Sequence, residues 1–178
     1  MRSKVHPQEP ACLESQVDSR GIVLRLAADE DCRQVFAWRN DPWLMSFSTS
    51  QSPVEWSDHE LWFAKAIKNP DQLLLIICSD SERPMGVLRY DRNEYDQALI
   101  SIYLAQKHTG KGYGSAALNE GNVMAFKRWP LKSIQAWVRA DNQGSVQLFQ
   151  RSGFANDHET PNTKENHVFF ELKRQGNK

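Results

Sequence analysis

One stretch constrains this chain more than any other: Ile100-Ser101-Ile102-Tyr103-Leu104-Ala105-Gln106-Lys107-His108-Thr109-Gly110-Lys111-Gly112-Tyr113-Gly114-Ser115. A strand leads into a turn with glycines at alternate positions, and a helix follows. Glycines there let the backbone bend tightly and let its N–H groups approach an anion with no Cβ in the way. The helix N-terminus adds partial positive charge and free donors, so the natural occupant is a phosphate or pyrophosphate. The alternative is a glycine-rich turn with no ligand. Two phosphate motifs fail. A Walker loop needs four residues between its first Gly and a Gly-Lys-Ser/Thr, and no such string occurs. The dinucleotide fingerprint G-x-G-x-x-G loses its last spacing here and belongs on a chain's first strand.

Composition narrows the setting. Lys plus Arg and Asp plus Glu both number 22, so the formal net charge is zero. A protein that binds nucleic acid by neutralising phosphates would carry a basic excess. No apolar run approaches the roughly 18 residues of a membrane span, and the polar first twenty residues lack the apolar segment of a secretory signal. Cys12, Cys32 and Cys78 are scattered and odd in number. They suit a reducing cytoplasm and form neither a metal cluster nor a disulfide frame.

The pattern along the chain predicts a flexible arm over 1–20 and one α/β domain over 21–174. Residues 22–26 read as a strand. Asp29 is the expected N-cap of a helix with Cys32, Val35 and Phe36 on one face, ended near 38–40 by Asp41-Pro42. Ser52-Pro53-Val54-Glu55 reads as a capping box for a helix that Asn69-Pro70 stops. Strands are expected over 73–78, 85–90, 98–104, 133–139 and 168–172, with helices over 115–127 and 145–152. Gly153 caps the last helix, and one more strand can start at Phe154.

A second segment, Asn142-Gln143-Gly144-Ser145-Val146-Gln147-Leu148-Phe149-Gln150-Arg151-Ser152-Gly153-Phe154, also follows a strand and opens a helix. Together with Thr109-Gly110-Lys111-Gly112-Tyr113-Gly114 it resembles the GNAT superfamily of N-acetyltransferases over residues 22–172. The resemblance implies a mixed, mostly antiparallel sheet flanked by about four helices and splayed into a V between the strands ending at Leu104 and Arg139. Acetyl-CoA, the implied co-substrate, would lie in that V, and no metal is implied. Its pantetheine arm would pair with the backbone at Ile102, Tyr103 and Leu104. Its pyrophosphate would rest on the amides of Lys107, His108, Thr109, Gly110, Lys111, Gly112, Tyr113, Gly114 and Ser115. Asn142, Ser145 and Phe149 would complete the cofactor site. The family often has Arg or Gln where this chain has Thr109. Many members have a tyrosine that protonates the leaving thiolate at the position of Phe149, which has no acidic proton. Tyr103 or water could serve instead, or the thiolate could leave unaided.

Upstream, Trp38-Arg39-Asn40-Asp41-Pro42, Ser46-Phe47 and Glu55-Trp56-Ser57-Asp58-His59-Glu60-Leu61-Trp62-Phe63 are similar to acetyltransferases acting on UDP-linked 4-amino sugars of the nonulosonic acid pathways. Gly86-Val87-Leu88-Arg89-Tyr90-Asp91 fits the same subgroup. Trp38, Arg39, Asn40, Phe47, His59 and Arg89 are the expected acceptor residues. Tryptophan faces can hold a sugar or uracil ring, and an arginine can pair with a diphosphate. Trp38, Trp56 and Trp62 can equally be helix-face core. His59 is the expected proton acceptor, because an amine must be neutral to attack a thioester; the alternative is a hydrogen-bonded structural histidine. Asp41, Glu55 and Asp91 are the fallback bases. No cysteine lies in either motif, so transfer is expected to be direct, in a ternary complex. The rival acceptor is a protein N-terminus, and a rival class is a non-catalytic acyl-CoA-binding module. No nucleic-acid or membrane partner is expected, and the chain is expected to act as a monomer or homodimer.

Overall fold

The computed structural model describes residues 21–48, 50–156 and 166–175; the expected arm over 1–20 lies outside them. Seven strands form one sheet in the order β1-β2-β3-β4-β5-β7-β6. They are β1 (Ile22–Leu26), β2 (Gln72–Ser79), β3 (Pro84–Arg92), β4 (Gln97–Leu104), β5 (Ser133–Arg139), β6 (Ala155–Asn156) and β7 (His167–Lys173). Every neighbouring pair is antiparallel except β4 and β5, which run parallel.

Among the described residues five α-helices flank the sheet: α1 (Cys32–Arg39), α2 (Pro42–Phe47), α3 (Trp56–Ala66), α4 (Tyr113–Arg128) and α5 (Gln143–Arg151). Strand side chains alternate between faces, and the core divides accordingly. Leu75, Ile77, Leu88, Tyr90 and Ile100 pack with Ala117, Leu118 and Ala125 of α4. Leu74, Ile76, Cys78 and Val87 pack with Val35 and Trp38 of α1 and Phe63 and Ala66 of α3. Because β2 is covered on both faces, residues 73–78 are all buried, which is why they read as an unbroken apolar run. At Gly121 helix α4 presses directly on the sheet: a Cβ there would stand 2.3 Å from Leu88. The Tyr90 hydroxyl donates to buried Asn122 of the same helix at 2.9 Å.

Three local expectations need correction. Asp29 is not the cap of α1; a 3-10 turn over Asp29–Asp31 precedes that helix. Asp31 instead accepts from the Ala28 amide at 2.9 Å and pairs with both terminal nitrogens of Arg25. Asp41-Pro42 does end α1, but it also starts α2, with Pro42 in the first turn and the Asp41 carboxylate accepting from the Leu44 amide at 3.1 Å. The Ser52 capping box does not form, and α3 begins only at Trp56. The reason is tertiary: the Asn40 amide both donates to and accepts from the Val54 backbone, at 2.9 and 2.8 Å, and so ties that segment to α1.

Candidate functional site

The parallel pairing of β4 with β5 spans only Gln97–Leu99 against Ser133–Gln135. Beyond it both strands continue, β4 to Leu104 and β5 to Arg139, without pairing to each other, so the sheet opens into a V. The V holds a cleft of about 850 Å³.

One wall is mostly backbone. Ile102 and Leu104 end β4, and the glycine turn runs from there into α4. Gly112 sits at φ +82°, in the left-handed region that favours glycine, and as N-cap it brings no side-chain acceptor to the first-turn amides. A Cβ on Gly114 would lie 3.3 Å from Leu148, so its absence lets α4 and α5 approach. Asn142 caps α5, accepting from the Ser145 amide at 3.1 Å. The Phe149 ring stacks on Phe170 and meets Phe154 edge-on, with centroids 5.7 and 5.0 Å apart. Of the expected cofactor residues, Ile102, Tyr103, Leu104, Thr109, Gly110, Gly112, Gly114, Ser115, Asn142, Ser145 and Phe149 line the cleft. Lys107, His108, Lys111 and Tyr113 do not: Tyr113 packs against the core, and exposed Lys107 and Lys111 flank His108. Partial burial and those two lysines lower the His108 pKa.

The cleft is also lined by Arg39, Trp43, Leu44, Phe47, Ser48 and Ser50 from the α1–α2 region and by Ser101, Trp137 and Arg139 from the strands. Arg39 Nη1 is buried and has no hydrogen-bond partner among the described residues. Trp43 and Phe47 meet edge-on with centroids 5.1 Å apart. Burial pushes the Tyr103 hydroxyl well above the ordinary phenol range, against the opposing pull of Arg89 and Arg39.

The other expected acceptor residues stand elsewhere. His59 is 3% exposed, with Nε2 3.1 Å from the Cys32 carbonyl. Phe36, Trp56, Trp62 and Phe63 surround its ring. Burial holds its pKa below the usual histidine range, outweighing the bond to Cys32. It is packed between α1 and α3 and does not line the cleft. Trp38 is core, edge-on to Tyr103. Asn40 is occupied by Val54. Arg89 stacks over Trp62 and lies 2.9 Å from Asp91, whose other oxygen accepts from Gln72. Asp41 caps α2, and Glu55 is exposed at the start of α3. None of these three carboxylates lines the cleft. Sequence reasoning missed Trp43, Trp137, Arg139 and Arg151 as lining residues. Only Trp43 carried a signal, because Asp41-Pro42 is itself a helix start.

Among the described residues no group of three or more His, Cys, Asp or Glu side chains could hold a metal, and no helix is long and apolar enough to cross a membrane.

The profile of the acetyltransferase (GNAT) domain matches residues 22–155. An uncharacterized protein of Methanocaldococcus jannaschii is 25% identical over 167 residues, 90% of this chain but 33% of its own length. The chain thus spans about a third of that relative. Acetyltransferase PseH of Campylobacter jejuni is 22% identical over 125 residues, 70% of this chain and 77% of PseH. The fold matches spermidine N-acetyltransferase of Vibrio cholerae, solved with CoA and spermine, at TM-score 0.77 and 19% identity over 86% of this chain and 95% of that one. The chain belongs to the GNAT acetyltransferase family, whose N-acetyltransferases take acetyl-CoA as co-substrate.

Proposed function

We propose that this chain transfers acetyl from acetyl-CoA directly to the primary amine of a nucleotide-linked amino sugar in the cytoplasm. One observation carries the choice of acceptor. Of the arginines lining the cleft, Arg139 is paired with Asp141, which leaves Arg39 and Arg151, and among the described residues no carboxylate lines it. A polyamine would bring several positive charges to such walls, whereas a diphosphate would meet the Arg39 guanidinium that lines them. The likeness to PseH supports the same acceptor class.

The cofactor's pyrophosphate has a fitting partner in the uncapped N-terminus of α4, and its acyl arm fits the unpaired end of β4. Acetyl-CoA supplies an activated thioester. The acceptor nitrogen attacks the thioester carbonyl, the C–S bond breaks, and water takes the ammonium proton. Tyr103 acts as a hydrogen-bond donor. Burial holds the Tyr103 phenol in its protonated form, so proton donation by Tyr103 is unfavourable. With Phe149 in place of a tyrosine, the thiolate leaves without an enzymic acid.

Thiol release with a UDP-linked 4-amino sugar, spermidine and an N-terminal peptide as acceptors tests this reading. The expected kcat/KM for the sugar exceeds that for spermidine by about 100-fold, a difference of roughly 2.7 kcal/mol. Turnover of the polyamine or peptide alone would overturn the acceptor, and no turnover with any amine would reduce the chain to an acyl-CoA-binding module.

A further inference from the structure

The two arms of the V are joined across the acceptor mouth by one side chain that the reaction does not otherwise use. Arg139, the last residue of β5, donates Nη1 to the Ser46 carbonyl at 2.8 Å, with the Ser48 carbonyl at 3.5 Å. These carbonyls belong to the C-terminal end of α2 and its cap, where a cation also opposes the helix dipole. The rest of the guanidinium is held by Asp141: Nε donates to Oδ1 at 3.0 Å and Nη2 to Oδ2. The Arg139 side chain is 23% exposed and that of Asp141 66% exposed; the carboxylate does not line the cleft, and by holding Nε and Nη2 it leaves Nη1 for the α2 carbonyls.

What Arg139 holds is a weak element. Helix α2 has six residues, none of them buried, and a helix that short has little stability of its own. The Asp41 cap, the packing of Leu44 against the α1–α3 core and the Arg139 bond fasten it. Yet α2 carries Trp43, Leu44 and Phe47, which form much of the acceptor wall.

We propose that Arg139 is a positioning residue for the acceptor: oriented by Asp141, it latches the end of α2 to β5 and so sets the width of the acceptor mouth. This rests on the reading of the cleft's α2 side as the acceptor side. The latch touches backbone carbonyls, so it fixes the position of α2 whatever side chains the helix carries. It leaves the glycine turn and the α4 N-terminus untouched, so cofactor affinity is independent of it.

Amide hydrogen exchange on the full chain, with and without CoA, reads the latch directly. In Arg139→Met the amides of Leu44, Met45 and Ser48 should exchange about tenfold faster, as expected for loss of one charge-assisted bond. Asp141→Asn keeps the guanidinium but loosens its orientation, and about threefold is expected there. Arg139→Lys, with a point charge in place of a fork, should restore part of the protection. The Kd for CoA should stay within about twofold, while KM for a UDP-linked amino sugar rises about tenfold with a smaller change in kcat. Unchanged exchange over 44–48 in Arg139→Met overturns the latch, as does a CoA affinity that falls together with acceptor affinity. If the wild-type chain does not acetylate the amino sugar, the acceptor assignment fails, and the exchange result still decides the latch.

Discussion

The two walls of the cleft are made of different materials. The proposed cofactor wall is backbone: the edge of β4 that β5 leaves unpaired, the turn around Gly110 and Gly112, and the first amides of α4. The proposed acceptor wall draws on the side chains of residues gathered from two helices and two strands: Arg39, Trp43, Phe47, Tyr103 and Arg139. A backbone site depends on what a few positions leave out, a Cβ above all, and any residue elsewhere is tolerated. A side-chain site depends on what the fold brings together from distant parts of the chain. The first kind tolerates no bulk and the second tolerates no loss of a specific group, so the walls should break differently.

The largest break is expected at Gly112. At φ +82° a Val there costs roughly 1–2 kcal/mol of backbone strain and more for its branched Cβ, besides filling the cradle. Affinity for CoA should fall by at least about 100-fold in calorimetry while the acceptor wall stays intact. Gly110→Ala sharpens the point. Gly110 is also left-handed, at φ +73°, but nothing lies within 4 Å of where its Cβ would stand. Strain alone should then weaken CoA by about fivefold or less. Wild-type affinity in Gly112→Val would mean that the anion is not held by this turn.

Arg39→Met breaks the other wall. Acceptor KM should rise about 10- to 30-fold, the worth of a charge-assisted pair, with KM for acetyl-CoA unchanged. Stability should hold or rise slightly, because a buried nitrogen without a partner is removed. Equal losses for both substrates would erase the distinction between the walls.

That distinction also explains what could be read from residues alone. The glycine turn, the helix after it and the helix expected over 145–152 are local, so spacing reveals them, and the strand expected over 133–139 matches β5 residue for residue. The V follows from a parallel pairing of three residues a side, which spacing does not encode; the family resemblance supplied it. Asn40 and His59 stand apart from the cleft because their partners, Val54 and the Cys32 carbonyl, lie 14 and 27 residues away in sequence. Polar residues among aromatics look alike whether they face a substrate or a buried carbonyl. Arg139 was invisible for the same reason: its partner Ser46 is 93 positions off. Helix α2 differs, since Asp41-Pro42 reads as a stop and the same pair also starts a helix.

The smallest effect on turnover, and the clearest on stability, is expected at His59. Its folded pKa is lowered by burial, so below the ordinary histidine pKa of about 6.5 the unfolded chain binds a proton that the folded chain refuses. Stability is therefore full above that pH and declines as the pH drops below it, by at most about 1.4 kcal/mol per pH unit for one group. His108, also lowered, adds to the decline in the same direction. His59→Phe fills the aromatic cage without a titrating group. Thermal unfolding between about pH 7.5 and 5.5 should then depend less on pH than in the wild type, leaving the part due to His108. Because His59 touches neither wall, acetyl transfer by the variant should stay within about threefold of wild type. A folded His59→Phe protein that binds CoA normally yet transfers no acetyl would return this histidine to the acceptor wall as its base.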